Sequence, residues 1–299
     1  MERLTRRTFL RAACGAAGSL TLTSFVAPFR ELRSGQDGRL PVTDEEIFAR
    51  VMNLAAEKDL AARPIGDGMA VIGLSFLGAP YRAHTLEAPG DEGLVVNLRE
   101  LDCTTFMENV LVLARCAKTR KVKFQEYKNE LQFVRYRGGV INGYPSRLHY
   151  FTDWVGDNEG KRVLADLSKK LGGEPARKTI DFMSTHPESY AQLKNADFVT
   201  RIGEVEKALT GRGFFSVPRT RVQELLKALK NGDIIGTVVS MKGIDVSHTG
   251  LIAIQEGVPK FLHAPLSGGK VQLAEGSFAD YVTKNRSITG VIVARPLEP

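Results

Sequence analysis

Four short runs near the C-terminus, DIIGTVVS, HTGLIAI, KFLHAPL and ITGVIVARPL, constrain the fold of this chain more than any other feature. Three of them are rich in β-branched residues, and all are bounded by Gly, Pro or Asp, the signature of short strands joined by tight connections. They follow one another in the last 70 residues, with helix-patterned segments before them, so the sequence predicts an antiparallel sheet preceded by helices: an α+β fold. At 299 residues the chain can form one large domain or a core carrying a sizeable insertion.

The helical half is legible from caps and periodicity. VTDEEIFARVMNLAAEKDL opens with Thr43 and Glu46 at capping-box spacing and continues with Ile47, Val51 and Leu54 on one face. A second apolar segment over 69–77 stops at GAPY, where Gly78 and Pro80 break it. LVVNL (94–98) predicts a short strand or extended run leading into a long apolar helix that starts near Cys103, and 124–135 predicts another helix. From Gly138 to about Lys230 the texture changes. Residues 138–162 are aromatic, glycine-bearing and non-periodic, which predicts a long ordered loop of the kind that carries function. Helical patterns follow after Pro187 and at Phe198, Ile202, Val205 and Leu209, and TRVQELLKALKNGDII closes a further helix near Asn231 and Gly232.

The formal charge of +7 is concentrated at one end: residues 1–30 hold five arginines and one glutamate, leaving only +3 for the rest. Lys and Arg are not clustered as a nucleic-acid partner would require. The same 30 residues read as an export leader, a basic start followed by small and apolar residues without acids. Arg6 and Arg7 followed by Phe9, Leu10 and Arg11 resemble a twin-arginine signal, which implies the twin-arginine export machinery as a partner and a periplasmic or secreted destination. A lipoprotein site at Cys14 is disfavoured by Arg11, and no other run approaches membrane-spanning length.

Without the leader, Cys103 and Cys116 remain. Thirteen residues apart in one helical pattern, they stand ~20 Å from each other at ~1.5 Å per residue, too far for a disulfide. Cys116, late in an apolar helix, reads as packing. Cys103 has another use open to it. Asp102 is a natural N-cap, which puts the thiol in the first helical turn, where unpaired N–H groups favour a thiolate. Such a nucleophile needs an imidazole to take its proton and a second group to orient that imidazole. Among His84, His149, His186, His248 and His263, the pair His248 and His263 lies on successive strands, where antiparallel pairing brings side chains together. Read from the residues alone, Cys103, His248 and His263 also admit a zinc site, although their spacing matches no compact ligand motif. Trp154 is either core or an aromatic surface for sugars or peptides.

LGAPYRAHTLE, NLRELDCTTFMENVLVLAR, SRLHYFTDW, GDII and SHTGLI…FLHA together resemble the NlpC-like cell-wall cysteine hydrolases, more narrowly their N-acetylmuramoyl-L-alanine amidase-like branch, over most of 70–295. The resemblance implies a papain-like (NlpC-type) core with a nucleophile-bearing helix packed on an antiparallel sheet, plus a mostly helical and loop insertion. It implies Cys103 as nucleophile, His248 as base and His263 as its orienter, with no metal or cofactor. Tyr81, Asp102, Ser146, Arg147, His149 and Trp154 are the candidate substrate-side residues, Asp102 as the cap that positions the thiol. The chain then divides into a leader (1–30), a helical part with the cysteine helix (31–137), a specificity loop and helical insertion (138–230) and a sheet part (231–299). The implied reaction is hydrolysis of the amide between N-acetylmuramic acid and L-alanine in peptidoglycan or muropeptides. A γ-D-glutamyl-diamino-acid endopeptidase and a non-catalytic murein-binding envelope protein are the alternatives.

Overall fold

The computed structural model describes residues 42–87 and 90–299. The segment read as an export leader lies outside the described residues. The helical half begins with α1 (Asp44–Glu57), capped as its sequence predicts: the Thr43 hydroxyl accepts from the Glu46 N–H while the Glu46 carboxylate accepts from the Thr43 N–H. Helices α2 (Ile65–Ser75), α3 (Cys103–Lys118) and α4 (Phe124–Arg135) follow. Next come α5 (Phe151–Gly160), β1 (Leu164–Asp166), β2 (Glu174–Ala176), α6 (Phe182–Thr185), α7 (Ala196–Arg212), β3 (Phe214–Pro218) and α8 (Val222–Leu225). The chain closes with β4 (Ile234–Val239), β5 (Val246–Gln255), β6 (Val258–His263), β7 (Gln272–Leu273), α9 (Phe278–Lys284) and β8 (Ile288–Pro296).

The strands form one antiparallel sheet in the order β2-β3-β8-β4-β5-β6-β7, with β1 pairing β8 beyond β3. Every residue of β4 is buried, because both faces of the sheet are covered. Alternation along β5 and β6 sorts their side chains. Leu251, Ala253 and Leu262 join the large core under α1–α5, whereas Ile252 and Phe261 join a second core with Phe278 and Val282 of α9. The helical and sheet halves also meet by a direct backbone approach. A Cβ at Gly66 would lie 2.1 Å from the Asn231 carbonyl oxygen, so only glycine lets the start of α2 sit against the turn before β4. Among the described residues, no helix is long and apolar enough to cross a membrane.

The α+β class and the four C-terminal strands are as the sequence predicts, but several local expectations are corrected. Part of the expected 138–162 loop is helix α5. Its N-cap, Tyr150, makes no side-chain cap; the Asp245 carboxylate instead accepts from the Thr152 N–H at 2.7 Å and its hydroxyl at 3.0 Å. That cap comes from 93 residues away, so no local pattern announces it. After Pro187 there are only two 3₁₀ turns; the regular helix is α7, capped by Asn195 through the Asp197 N–H. LVVNL forms no strand. It is irregular, held where Asp44 accepts from the Leu98 N–H and the Asn109 amide donates to the Asn97 carbonyl. Helix α8 ends at Leu225, short of the predicted stop. The last strand, β8, lies between β3 and β4 rather than beyond β6. Strands β1, β2, β3 and β7 have two to five residues and were not anticipated, being too short to show alternation.

Candidate active site

Cys103 is the first residue of α3, and Asp102 caps it. The Asp102 carboxylate accepts from the Thr105 N–H and hydroxyl, both at 2.8 Å, while the Thr105 hydroxyl accepts from the Asp102 N–H at 2.9 Å. The reciprocal pair holds the first turn at the angle that presents the Cys103 side chain. Tyr81 is brought beside this turn by two bridges: Pro80 pairs with Lys270 and Tyr81 with Leu101, two residues before the cysteine.

The two strand histidines meet. His248 Nε2 lies 2.8 Å from His263 Nδ1, their rings nearly perpendicular. Both belong to the α9 side of the sheet by alternation with Ile252 and Phe261. His263 is 3% exposed and enclosed by the rings of Phe261 at 4.7 Å and Tyr281 at 5.2 Å. Between the two histidines on that face stands Gly250, where a Cβ would come within 2.7 Å of the Phe261 ring. The hydrogen bond selects tautomers. For His248 Nδ1 to accept a proton, His248 must donate through Nε2 to His263 Nδ1, and His263 then carries its own hydrogen on Nε2, a buried atom with no hydrogen-bond partner.

Thr249, the neighbour of His248, turns to the other face and grips α3. Its hydroxyl donates to the Cys103 carbonyl at 2.9 Å, and its backbone N–H and hydroxyl are hydrogen-bonding partners of the Cys103 thiol, together with the Thr104 hydroxyl. The thiol is therefore held by threonines in this state, while the neighbouring His248 ring is turned to the α9 face against His263 and Phe261. Burial, then the Asp102 carboxylate, pushes the thiol up from its ordinary value, against the threonine donors, which favour thiolate. Burial pushes His248 down to about 4 and His263 well below its ordinary value, the latter also by repulsion from His248. All three shifts favour the neutral state, so the resting site is thiol and imidazole rather than thiolate and imidazolium.

The depressed imidazoles make stability pH-dependent. Between about pH 6.5 and about 4 the unfolded chain binds a proton that folded His248 refuses, so its contribution is complete above 6.5 and is lost as pH falls through that window. From about pH 7.5 to about pH 5 the folded state is expected to lose roughly 2 kcal/mol through His248 alone. Urea denaturation at the two pH values checks this: His248→Gln should show a smaller loss than the parent chain, and an equal loss would remove the buried neutral imidazole from the account.

The other sequence candidates lie in the segment before α5 and within that helix. Ser146 is buried, donating to the Gly143 carbonyl and accepting from the Asn142 N–H. Arg147 is buried, stacked on Tyr144, and bonded to the Leu86 carbonyl and the Glu87 carboxylate. His149 meets the Tyr144 carbonyl through Nε2 at 2.9 Å. Trp154 is 2% exposed and stacked on Phe151 within the large core. Ser146 thus closes its own turn, Arg147 braces the loop that follows Tyr81, and Trp154 presents almost no surface to a ligand. Cys116 is fully buried, its thiol pushed up to about 12 by burial. Sequence reasoning overlooked Thr249, although strand alternation next to His248 already turns it towards the helices. Among the described residues, no three His, Cys, Asp or Glu side chains converge as a metal-ligand set.

Fold and candidate site together give an α+β protein with a thiol at a helix start, joined through Thr249 to a strand that carries one of two hydrogen-bonded imidazoles. The chain belongs to the N-acetylmuramoyl-L-alanine amidase-like family, whose model matches residues 71–290. Among solved structures it is similar to an N-acetylmuramoyl-L-alanine amidase from Bacteroides uniformis, at 34% identity over 78% of this chain and 99% of that one, with a TM-score of 0.74. It is also similar to a putative xylanase from Bacteroides fragilis, at 36% identity over 75% of this chain and 98% of that one, with a TM-score of 0.70. A Legionella pneumophila protein at 19% identity, with a TM-score of 0.64 over 85% of this chain and 95% of that one, shares the fold. No curated protein sequence matches the chain.

Proposed function

We propose that the chain is an exported cysteine amidase that hydrolyses the bond between the lactyl group of N-acetylmuramic acid and L-alanine, on a papain-like core of the NlpC type. The reading is carried by one observation: His248, hydrogen-bonded to His263, adjoins Thr249, whose hydroxyl donates to the Cys103 carbonyl. His248 is neutral above about pH 4 and is able to act as a base through Nδ1. It takes the thiol proton as sulfur attacks the lactyl carbonyl, so no standing ion pair is required. The Cys103 N–H, without an intrahelical partner at the first position of α3, and Tyr81 beside it supply donors for the oxyanion. Collapse breaks the C–N bond, leaves a thioester on the muramyl side and passes the His248 proton to the departing alanine amine. Water, deprotonated by His248, then attacks the thioester carbonyl; the C–S bond breaks, the muramyl acid is released and the departing thiolate takes back the proton from His248. His263 orients His248 throughout by accepting from Nε2.

A glycosidase reading, raised by the name of the B. fragilis relative, would need two carboxyl groups facing each other across a scissile bond. Here the two imidazoles are hydrogen-bonded to each other, one of them next along β5 from the Thr249 that meets Cys103, and the Asp102 carboxylate is held in the helix cap. Mass spectrometry of muropeptides incubated with the purified protein tests the substrate. The expected product is a stem peptide with a new L-alanine N-terminus. Products bearing only a new diamino-acid amine would replace this reading by the endopeptidase one, and unchanged muropeptides would replace it by murein binding.

A further inference from the structure

Thr249 couples the two halves of the site, and it does so with more contacts than packing requires. It is 4% exposed, sits between His248 and Gly250 on β5, and directs its hydroxyl at the Cys103 carbonyl at 2.9 Å, across 146 residues of chain. Its backbone N–H and hydroxyl also reach the thiol of the same cysteine. The Cys103 carbonyl already has a helical acceptor role toward the N–H four residues on, so the hydroxyl is not needed to satisfy it. The hydroxyl has one hydrogen and two acceptors within reach, a carbonyl that can do without it and a sulfur that requires it only once charged. On the partner strand, the position paired with Thr249 is Gly236, which carries no side chain to compete for the same space.

We propose that Thr249 is a positioning residue for the thiol: it sets the Cys103 side chain in register with His248 and rotates its hydroxyl hydrogen from the Cys103 carbonyl to the sulfur as the thiolate forms. No O–H bond breaks in this step; the proton leaving sulfur goes to His248, and the threonine hydrogen changes acceptor only. Hydrogen bonds to a charged acceptor are the stronger kind, so the rotation favours the charged state over the resting one. The proposal rests on reading Cys103 as the nucleophile, and its test is separable from that reading.

The test compares Thr249→Val, which keeps the shape and removes the hydroxyl, with Thr249→Ser, which keeps the hydroxyl. Three quantities are read: the pH midpoint of Cys103 alkylation by iodoacetamide, followed by peptide mass spectrometry; kcat and KM on a muramoyl-L-alanine substrate; and the thermal midpoint. Thr249→Val is expected to raise the alkylation midpoint by about one pH unit and lower kcat about tenfold with KM little changed, as losing one charge-assisted donor implies. Thr249→Ser is expected to restore both. An unmoved midpoint in Thr249→Val overturns the proposal. So does a loss shared equally by Val and Ser and tracking the thermal midpoint, since that is what a packing role alone produces. If the parent chain fails to cleave the muramoyl amide while the midpoint still shifts and recovers, the substrate reading falls and the role of Thr249 at the thiol stands.

Discussion

Cys103→Ser is expected to lower kcat/KM for a muramoyl-L-alanine substrate by about 10⁴-fold or more while leaving the fold intact, the scale of losing a nucleophile that works as a unit with its base. Serine is near in size, and the cap that holds this turn, Asp102 with Thr105, does not involve the thiol. The loss is therefore chemical: an alcohol beside a base as weak as a buried imidazole near pKa 4 is far harder to deprotonate than a thiol. Steady-state kinetics with circular dichroism as the folding control measures it. His263→Ala should cost less, on the order of 10²-fold, because His248 keeps its place on β5 and loses only its orienting partner. A Cys103→Ser protein within about tenfold of the parent would move the nucleophile elsewhere.

Breaking the ion pair of Glu108 and Arg135 is expected to be the most damaging surface-independent change to stability. Arg135 donates through Nε to Glu108 at 2.8 Å and through Nη1 to the Val95 carbonyl at 2.5 Å, and both side chains of the pair are 2% exposed. The pair fastens α4 to the middle of α3 and to the extended segment that leads into the cysteine turn. Glu108→Gln leaves a buried guanidinium without its counter-charge, costing about 3–5 kcal/mol. For a chain of this size that corresponds to a fall of about 10 °C in Tm. Replacing both residues by methionine should recover much of the loss, because no charge is then stranded. Calorimetry decides, and a fall of under about 2 °C in Glu108→Gln would show that water or another group reaches Arg135.

Several parts of the candidate site were legible along the chain because they are local. Asp102 before Cys103 is a cap-and-first-turn pattern, and a cap needs only residues three apart to form. His248 stands on a run whose β-branched content marks it as a strand, and the separation from His263 on the apolar run that follows suits a short hairpin, which is what β5 and β6 form. The Thr43 and Glu46 box was legible for the same reason. The segment from 138 to 230 was not. Helix α5 takes its cap from Asp245, the Arg147 loop brace reaches back to Glu87, and α6 is held by Glu206 accepting from the Met183 and Ser184 N–H groups.

The sequence by itself determined the class of fold, the start of α3 at Cys103 and the placing of His248 and His263 on successive strands, since each follows from propensity, capping or period within a few residues. Only the tertiary structure decided that β8 inserts beside β4, that Trp154 and Arg147 are buried supports, and that Thr249 is what the thiol touches. The reason is physical. A side chain's periodicity reports that it is turned inward, but which partner it meets there depends on contacts that close 60 to 146 residues of chain, as between Arg147 and Glu87 or Thr249 and Cys103, and no local rule encodes them.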